Sequence, residues 1–570
     1  MLRFSVSAHL EFSCRSEYAI IARLGQSGER AHAGLGNAAN RTAWLNGGMA
    51  ARGASTSLSF AHVCATSSNR MATVAVKIAI VGAGIAGLCT AKTFLALGYE
   101  VEVFEKEPDL GGVWSASRRY PGLTTQNPKE TYEFSDWPMP DDYPEWPSGA
   151  QMQAYLQSYA DHFGITQHIR FDADLISADR AADNDGWTLT IAGPASSSPE
   201  RATRSFDWLI ACNGIFSIPA LPPFAGIDGF RAAGGEVLHT SQFTDAEAAR
   251  GKHVVVVGYG KSSCDVANAI AERSAGTTMV VRRLFWKIPK RIGNVVNFKH
   301  LFLNRMGEAL FPWIEPKGFE AFLHGPGRAV RNGMLGSVQA IVARQLGLKA
   351  LNLDPGTPLE TIARSTVSLV SDGFYDKVAS GGLGIERDAE VAELSAGEAL
   401  LSNGRRLAAD IVICGTGWHQ RVDFLSADVL RKVTDERGNF RLYRSMVPIG
   451  VPRLLFNGYN SSFFSQLNAE MGAIWLAALL AGWLRLPDAE RMGSEIDRRL
   501  AWMDARTGGR HCKGTNIIPF SIHHIDELLQ DLDLELPLAT RVVQWLRTVR
   551  ASDFANVWQR FGRRSAGIVA

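Results

Sequence analysis

At 570 residues the chain is too long for one ordinary core, and its length alone suggests two to four domains, or fewer large ones with an extension. Apolar residues at 46% and charged residues at 20% supply ample interior and exclude a chain that is disordered throughout. With 59 Lys and Arg against 57 Asp and Glu, no strong field exists to draw the protein onto nucleic acid.

The seven cysteines, Cys14, Cys64, Cys89, Cys212, Cys264, Cys414 and Cys512, form no C-x-x-C pair and no zinc-like cluster. That spacing speaks against a disulfide framework, a metal site and a redox dithiol, and fits a reducing compartment.

In chain order, the first seventy residues stand apart. They hold Arg3, Arg15, Arg23, Arg30, Arg41, Arg52 and Arg70 but no Lys, only Glu11, Glu17 and Glu29 as acids, and much Ala, Ser and Gly. Such a segment is read as an organelle transit peptide, a disordered extension, or an over-extended gene model that truly starts at Met71. The pattern changes from Val76. An apolar run, a Gly-rich turn, a helical stretch and a second apolar run follow in order, predicting β-turn-α-β.

Gly82-x-Gly84-x-x-Gly87 opens this helix, with Glu105 ending the next strand, the spacing of a dinucleotide fingerprint. Gly82 makes the tight turn, Gly84 admits the pyrophosphate, Gly87 lets helix and strand pack, and Glu105 accepts from ribose hydroxyls. Gly111, Gly112 and Trp114 follow closely. A second glycine pair there allows close passage of a bulky ring system, and Trp114 is either part of that wall or a core aromatic. The Pro-rich Ile218 to Pro223 suits a crossing between domains.

A second unit begins at Gly251, with Gly258-x-Gly260-x-Ser262 after an apolar strand and Ser263 where a third glycine would stand. After its next strand come Arg282 and Arg283 instead of an acid. A guanidinium pairs with a 2′-phosphate that a carboxylate would repel, so NADPH is preferred over NADH. Asp410 to Gly417 reads as a strand ending in Gly415 and Gly417 that returns the chain to the first domain. The apolar run Ala473 to Leu484 is about a dozen residues, short of the ~20 that span a bilayer, and predicts a buried helix. The pair His523-His524 lacks spaced metal partners and reads as a surface or packing feature.

These residues resemble the flavin-containing monooxygenases among the class B flavoprotein monooxygenases. The match includes the GGVW turn at Gly111, Asn127-Pro128-Lys129-Glu130, Phe134-Ser135-Asp136 through Tyr143-Pro144, the second fingerprint, and ICGTGW ending at Trp418. Gly235, His239 and Phe243 fit most of a further family signature, though Ala233 takes its leading aromatic place. The resemblance implies an α/β protein of two Rossmann-like domains, the NADPH domain inserted into the FAD domain. The expected bounds are an extension at 1–73, FAD domain at 74–224, NADPH domain at 225–409, and the rest of the FAD domain with C-terminal helices at 410–570. It implies that NADPH reduces FAD, that dioxygen forms a flavin hydroperoxide, and that one oxygen passes to a small amine, sulfide or related nucleophile. Asn127 and His239 are then the catalytic candidates, His239 equally a residue that holds inter-domain geometry.

A Baeyer-Villiger monooxygenase is the nearest alternative, but Phe243 and Thr244 stand where its signature has Trp and Pro. A disulfide-type reductase and a non-catalytic nucleotide-binding protein are more distant. The expected partners are a small-molecule substrate and dioxygen, with a homodimer as the candidate assembly, no nucleic acid and no transmembrane segment. A cytoplasmic location is expected, or organelle import through the N-terminal extension.

Overall fold

The computed structural model describes residues 76–569 apart from 182–184, 194–200, 365–367, 461 and 510–519, so the expected extension at 1–73 lies outside the described residues. The β-turn-α-β unit is realised as β1 (Lys77–Val81), α1 (Ile85–Ala96) and β2 (Glu100–Phe104). Ile78, Ala79 and Ile80 are wholly buried, because a parallel strand covered on both faces is apolar without alternation. Helix α2 (Gly149–His162) starts at a Ser148–Gln151 capping box, which satisfies two backbone donors at once, and β3 (Ile169–Arg170) follows. An antiparallel flap of β4 (Asp174–Arg180), β5 (Trp187–Ala192) and β6 (Arg201–Phe206) precedes β7 (Trp208–Ala211).

The chain leaves along β8 (Ile218–Pro219) and enters a second sheet with β9 (Glu236–His239). The second fingerprint lies on β10 (His253–Val257), α3 (Lys261–Ile270) and β11 (Gly276–Val281). A largely helical excursion then carries β12 (Lys287–Ile288), the long helix α4 (Arg328–Gln345) and β13 (Ser368–Leu369), which pairs with β12 in parallel. Strands β14 (Gly384–Arg387) and β15 (Ile411–Cys414) complete the second sheet. Next come β16 (Trp418–His419), β17 (Leu454–Phe456), and helices α5 (Ser465–Leu480), α6 (Ala489–Thr507) and α7 (Ser521–Asp531).

The first sheet has the order β17-β7-β1-β2-β3 and the second β14-β11-β10-β15-β9, each parallel throughout. The fold is therefore α/β with two Rossmann-like sheets. One boundary differs from expectation. Strand β15 does not return to the first sheet; it sits in the second, between β10 and β9. The return comes after Gly417, where β16 pairs antiparallel with the outgoing β8, and β17 then joins the first sheet beside β7. A wholly apolar strand suits the middle of either parallel sheet, so its sequence does not name its neighbour.

The helix predicted from Ala473 is the later part of α5, buried along its length and packed against α1. Among the described residues no helix is long and apolar enough to cross a membrane.

Candidate functional site

The three glycines of the first turn are required for different reasons. A Cβ on Gly82, whose φ is +102°, would fall 2.8 Å from the Cys212 carbonyl oxygen, and one on Gly87 would fall 1.8 Å from that of Gly82. The protein's own packing forbids both. A Cβ on Gly84 would meet only Gly112, its Cα at 3.6 Å, and its φ of −82° suits any residue. Nothing in the polypeptide requires glycine at 84, so the space between Gly84 and Gly112 is open to a ligand. Helix α1 has no side-chain cap, so its first-turn N–H groups remain available to an anion.

Glu105 is buried at 6% exposure and accepts from the Ala83 and Glu107 amides at 2.7 and 3.0 Å, one on each oxygen. Each oxygen keeps a lone pair for a ribose hydroxyl. Burial raises its pKa, and the two amide bonds oppose that rise. Nearby, Trp114 Nε1 and both amide atoms of the fully buried Gln466 make no hydrogen bond of good geometry among the described residues. Both side chains act on the Tyr132 hydroxyl, whose pKa burial raises. The Gln466 amide keeps hydrogen-bonding capacity beyond the Tyr132 hydroxyl, so this wall fits a planar group carrying its own donors and acceptors, as a flavin does.

The second turn repeats the logic with one substitution. Gly258, at φ +116°, has no room for a Cβ, which would lie 2.7 Å from the Gly415 carbonyl oxygen, whereas Gly260 has only that oxygen within reach, at 3.9 Å. Ser263 is accommodated in the third glycine's place because Gly415 on the facing strand end lacks a side chain; a Cβ there would sit 1.9 Å from Ser263 Oγ. Gly415 therefore serves packing of the turn. Helix α3 has no side-chain cap either, and partly exposed Ser262 lies in its first turn.

The sheet registers align the two units. Val81 pairs with Phe104 and Glu105 follows; Val257 pairs with Val280 and Val281 follows. The acid's place is thus held by buried Val281, with the exposed Arg282 and Arg283 just beyond. Arg282 meets Glu390 only at 3.5 Å on the surface, a weak pair that leaves it able to engage a phosphate.

One segment touches the first turn and the helix that follows the second. It runs from Gly112, against Gly84, to Tyr120, whose hydroxyl donates to Asp265 of α3 at 3.3 Å, and Gly122, where a Cβ would fall 2.9 Å from the Asp265 carbonyl oxygen. It continues to Gln126, which accepts from the Leu369 amide of β13, and to Asn127, 2% exposed, which donates to the Phe463 carbonyl at 2.6 Å just before α5. Further on, Ser135 donates twice to buried Glu470 of α5, and Asp136 pairs with Lys92 of α1. Burial, and then the charge of Asp136, raise the Glu470 pKa to about 7. The Phe134-Ser135-Asp136 segment is thus an anchor that ties the chain following Asn127 to α5 and α1. Beside it lies a narrow apolar crevice lined by Ile288, Phe298, Phe302, Phe311, Leu369 and Phe463.

His239 does not fit an acid-base role. It is 1% exposed; its Nε2–H donates to the Gly417 carbonyl at 3.0 Å, and its Nδ1 accepts from Ser241. Burial lowers its pKa to about 4, helped by the charge of Arg118, so the ring is neutral with both nitrogens engaged. It ties the end of β9 to the crossing at Gly417, whose φ of +90° makes the turn into β16. The sequence reading missed Arg118, which donates to the Phe216 carbonyl at 2.8 Å and lies over the Trp418 ring, linking the first-turn segment to both crossing strands. It missed Gln466, for which no local signal exists. It also missed Lys287, a lone charge in the apolar run from Leu284 to Ile288, a pattern that does mark a partnered buried cation.

The fold and the two open phosphate turns define a two-dinucleotide oxidoreductase of the flavoprotein class. The model of the flavin-binding monooxygenase-like family matches residues 75–324. The chain is 26% identical over 501 residues to probable flavin-containing monooxygenase 1 of Arabidopsis thaliana, covering 80% of this chain and 92% of that one. It is 25% identical over 481 residues to flavin-containing monooxygenase 1 of Homo sapiens, covering 80% and 83%. A crystal structure of cyclohexanone monooxygenase with ε-caprolactone bound shares the fold, at a TM-score of 0.62 and 16% identity over 81% of this chain and 99% of that one. Over residues 75–324 the chain matches the flavin-binding monooxygenase-like model, it is similar to flavin-containing monooxygenases over most of its length, and these likenesses support a flavin-dependent monooxygenase.

Proposed function

We propose that the protein oxygenates a small amine, sulfide or similar soft nucleophile, with FAD along Gly82, Gly84, Gly87 and Glu105 and NADPH along Gly258, Gly260, Ser262 and Ser263. The observation that carries this reading is the Gly112–Asn127 segment, which touches the first phosphate turn at Gly84 and the helix after the second at Asp265. Bound FAD supplies two-electron acceptance from NADPH and activation of dioxygen. The chain's own residues bind, orient and exclude water. Gly112 and Trp114 wall the first site. Asn127 spends one N–H on Phe463 and keeps its second N–H and Oδ1 for a bound molecule, as a neutral amide that offers hydrogen bonds without offering a titrating proton. The apolar crevice beside Phe463 has room for no more than about one water, so it excludes water from this side of Asn127.

The test is product analysis with isotopic dioxygen over amines, sulfides and ketones, run on the parent and on Asn127→Ala. One labelled oxygen per amine or sulfide product is expected. The variant is expected to oxidise NADPH within about twofold of the parent while product per NADPH falls at least about fivefold, the size of losing an oriented hydrogen bond. Unlabelled product rejects the reaction, and unchanged yield in the variant rejects the role of Asn127.

Arg282 and Arg283 are assigned to the 2′-phosphate. Arg282→Ala is expected to raise the KM for NADPH about tenfold, the cost of a charge-assisted contact, and to leave that for NADH unchanged. Equal changes for both nucleotides would remove the assignment.

A further inference from the structure

Lys287 carries the strongest unexplained feature of the molecule. It is 1% exposed, and its ammonium has no carboxylate within hydrogen-bonding distance among the described residues. Instead Nζ donates to the Tyr259 carbonyl at 2.6 Å and to Ser368 Oγ at 2.8 Å, and lies 4.5 Å from the centre of the Tyr259 ring and 4.7 Å from that of Phe285. Burying a cation is costly, and such a group persists where its surroundings require it. Burial lowers the pKa of the amine, and the neighbouring Cys264 works against that shift.

Tyr259 is the middle residue of Gly258-x-Gly260. In a trans peptide the carbonyl of one residue and the N–H of the next point in opposite directions. A cation holding the Tyr259 carbonyl on the inner side of the turn therefore aims the Gly260 N–H outward, toward the place where a pyrophosphate meets the start of α3. The other fingerprint offers an internal comparison. There the equivalent carbonyl, that of Ala83, accepts from the backbone amide of Gly111 at 3.0 Å, a neutral contact. The second turn thus has a charged version of a clamp that the first builds from backbone alone. Ser368 on β13 and Lys287 on its partner β12 deliver that clamp from the helical excursion.

We propose that Lys287 is a positioning residue for the second dinucleotide, holding the Tyr259–Gly260 peptide and adding a positive charge behind the pyrophosphate site. The inference rests on the assignment of NADPH to that turn. It places the action of Lys287 at the pyrophosphate, common to both nicotinamide dinucleotides, and away from the 2′-phosphate assigned to Arg282.

The experiment is equilibrium binding by calorimetry to flavin-loaded parent and Lys287→Met, with NADP+, NAD+ and 2′-AMP. The variant is expected to keep its flavin, to lose about tenfold in affinity for both NADP+ and NAD+, and to bind 2′-AMP, which has no pyrophosphate, as the parent does. Unchanged NADP+ affinity overturns the proposal, and so does an equal loss for 2′-AMP, which would mean that the whole domain had loosened. Should Lys287→Met not fold, Ser368→Ala, which removes the ammonium's other acceptor at little change in volume, is expected to weaken NADP+ about threefold, and no change there overturns it equally. A parent protein that binds no NADP+ would instead fell the assignment of the turn and this proposal with it.

Discussion

Gly84→Val is expected to purify colourless, with flavin content below about a tenth of the parent's, because the branched side chain fills the passage that phosphate needs at the helix N-terminus. The expectation is specific to the ligand. A Cβ at Gly84 makes only an ordinary 3.6 Å contact with Gly112 in the polypeptide itself, so the variant should melt within a few degrees of parent protein stripped of flavin. The comparison must be with stripped parent, since bound cofactor stabilises the native state by mass action. Gly260→Val, equally open in the polypeptide, should keep its flavin and lose NADPH binding instead. Gly87→Ala supplies the contrast. Its Cβ would stand 1.8 Å from the Gly82 carbonyl oxygen, and the turn itself must break. Flavin retained at full occupancy in Gly84→Val would remove the first turn from the cofactor's path.

The same glycines show which parts of the fold a sequence makes legible. A turn of fixed geometry dictates residue types at short spacing, so Gly82, Gly87 and Gly258 announce themselves. What depends on neighbours distant in the chain does not. Ser263 is tolerated only because Gly415, 152 residues later, withholds a side chain, and neither residue alone reveals the pairing. The sheet to which Ile411–Cys414 belongs is settled by the strands beside it, which is why the expected boundary at 410 gives way to a crossing after Gly417. His239 was visible as a signature residue, but whether a histidine titrates or holds depends on what meets its two nitrogens, and both here meet the backbone or Ser241. Val281 is a sharper case. The missing acid is noticeable in the sequence, but the register of β10 on β11 shows which residue stands in its place.

The two turns also illuminate each other. Each has an obligatory glycine set by packing, a permissive glycine set by the ligand, an uncapped helix and a carbonyl that must be held inward. They differ in the residue that follows the second strand and in what holds the carbonyl. In the first these are Glu105 and a Gly111 amide; in the second, Val281 followed by arginines, and a buried ammonium. In place of the buried carboxylate of the first unit, the second therefore carries two exposed arginines and a buried lysine near its turn.

His523→Leu is expected to be among the most destabilising single changes in the chain, although the residue is far from either turn in sequence. The histidine pair does not lie on the surface. His524 is 2% exposed, and His523 bridges two buried glutamates. Its Nδ1 pairs with Glu308, its Nε2 lies 3.0 Å from Glu320, and its ring stacks on Trp313. Glu308 also accepts from the Ile522 and His523 amides at the start of α7, and Glu320 from the Trp313 amide, so the carboxylates are built into the backbone and cannot swing to water. Burial disfavours the charged ring, but the two carboxylates, Glu308 first, raise its pKa from 6.5 to about 10. Leucine would leave two buried carboxylates without their cation, at a cost of about 3–5 kcal/mol. The pH dependence follows from the direction of the shift. A histidine whose folded pKa is raised contributes its full stabilisation below its unfolded value near 6.5 and loses it as pH rises through about 10. The difference in chemical-denaturation stability between parent and His523→Leu should therefore be largest at pH 6, shrink steadily above pH 7 and be nearly gone beyond pH 10. A difference that stays constant across that range would show that His523 acts through packing on Trp313 alone.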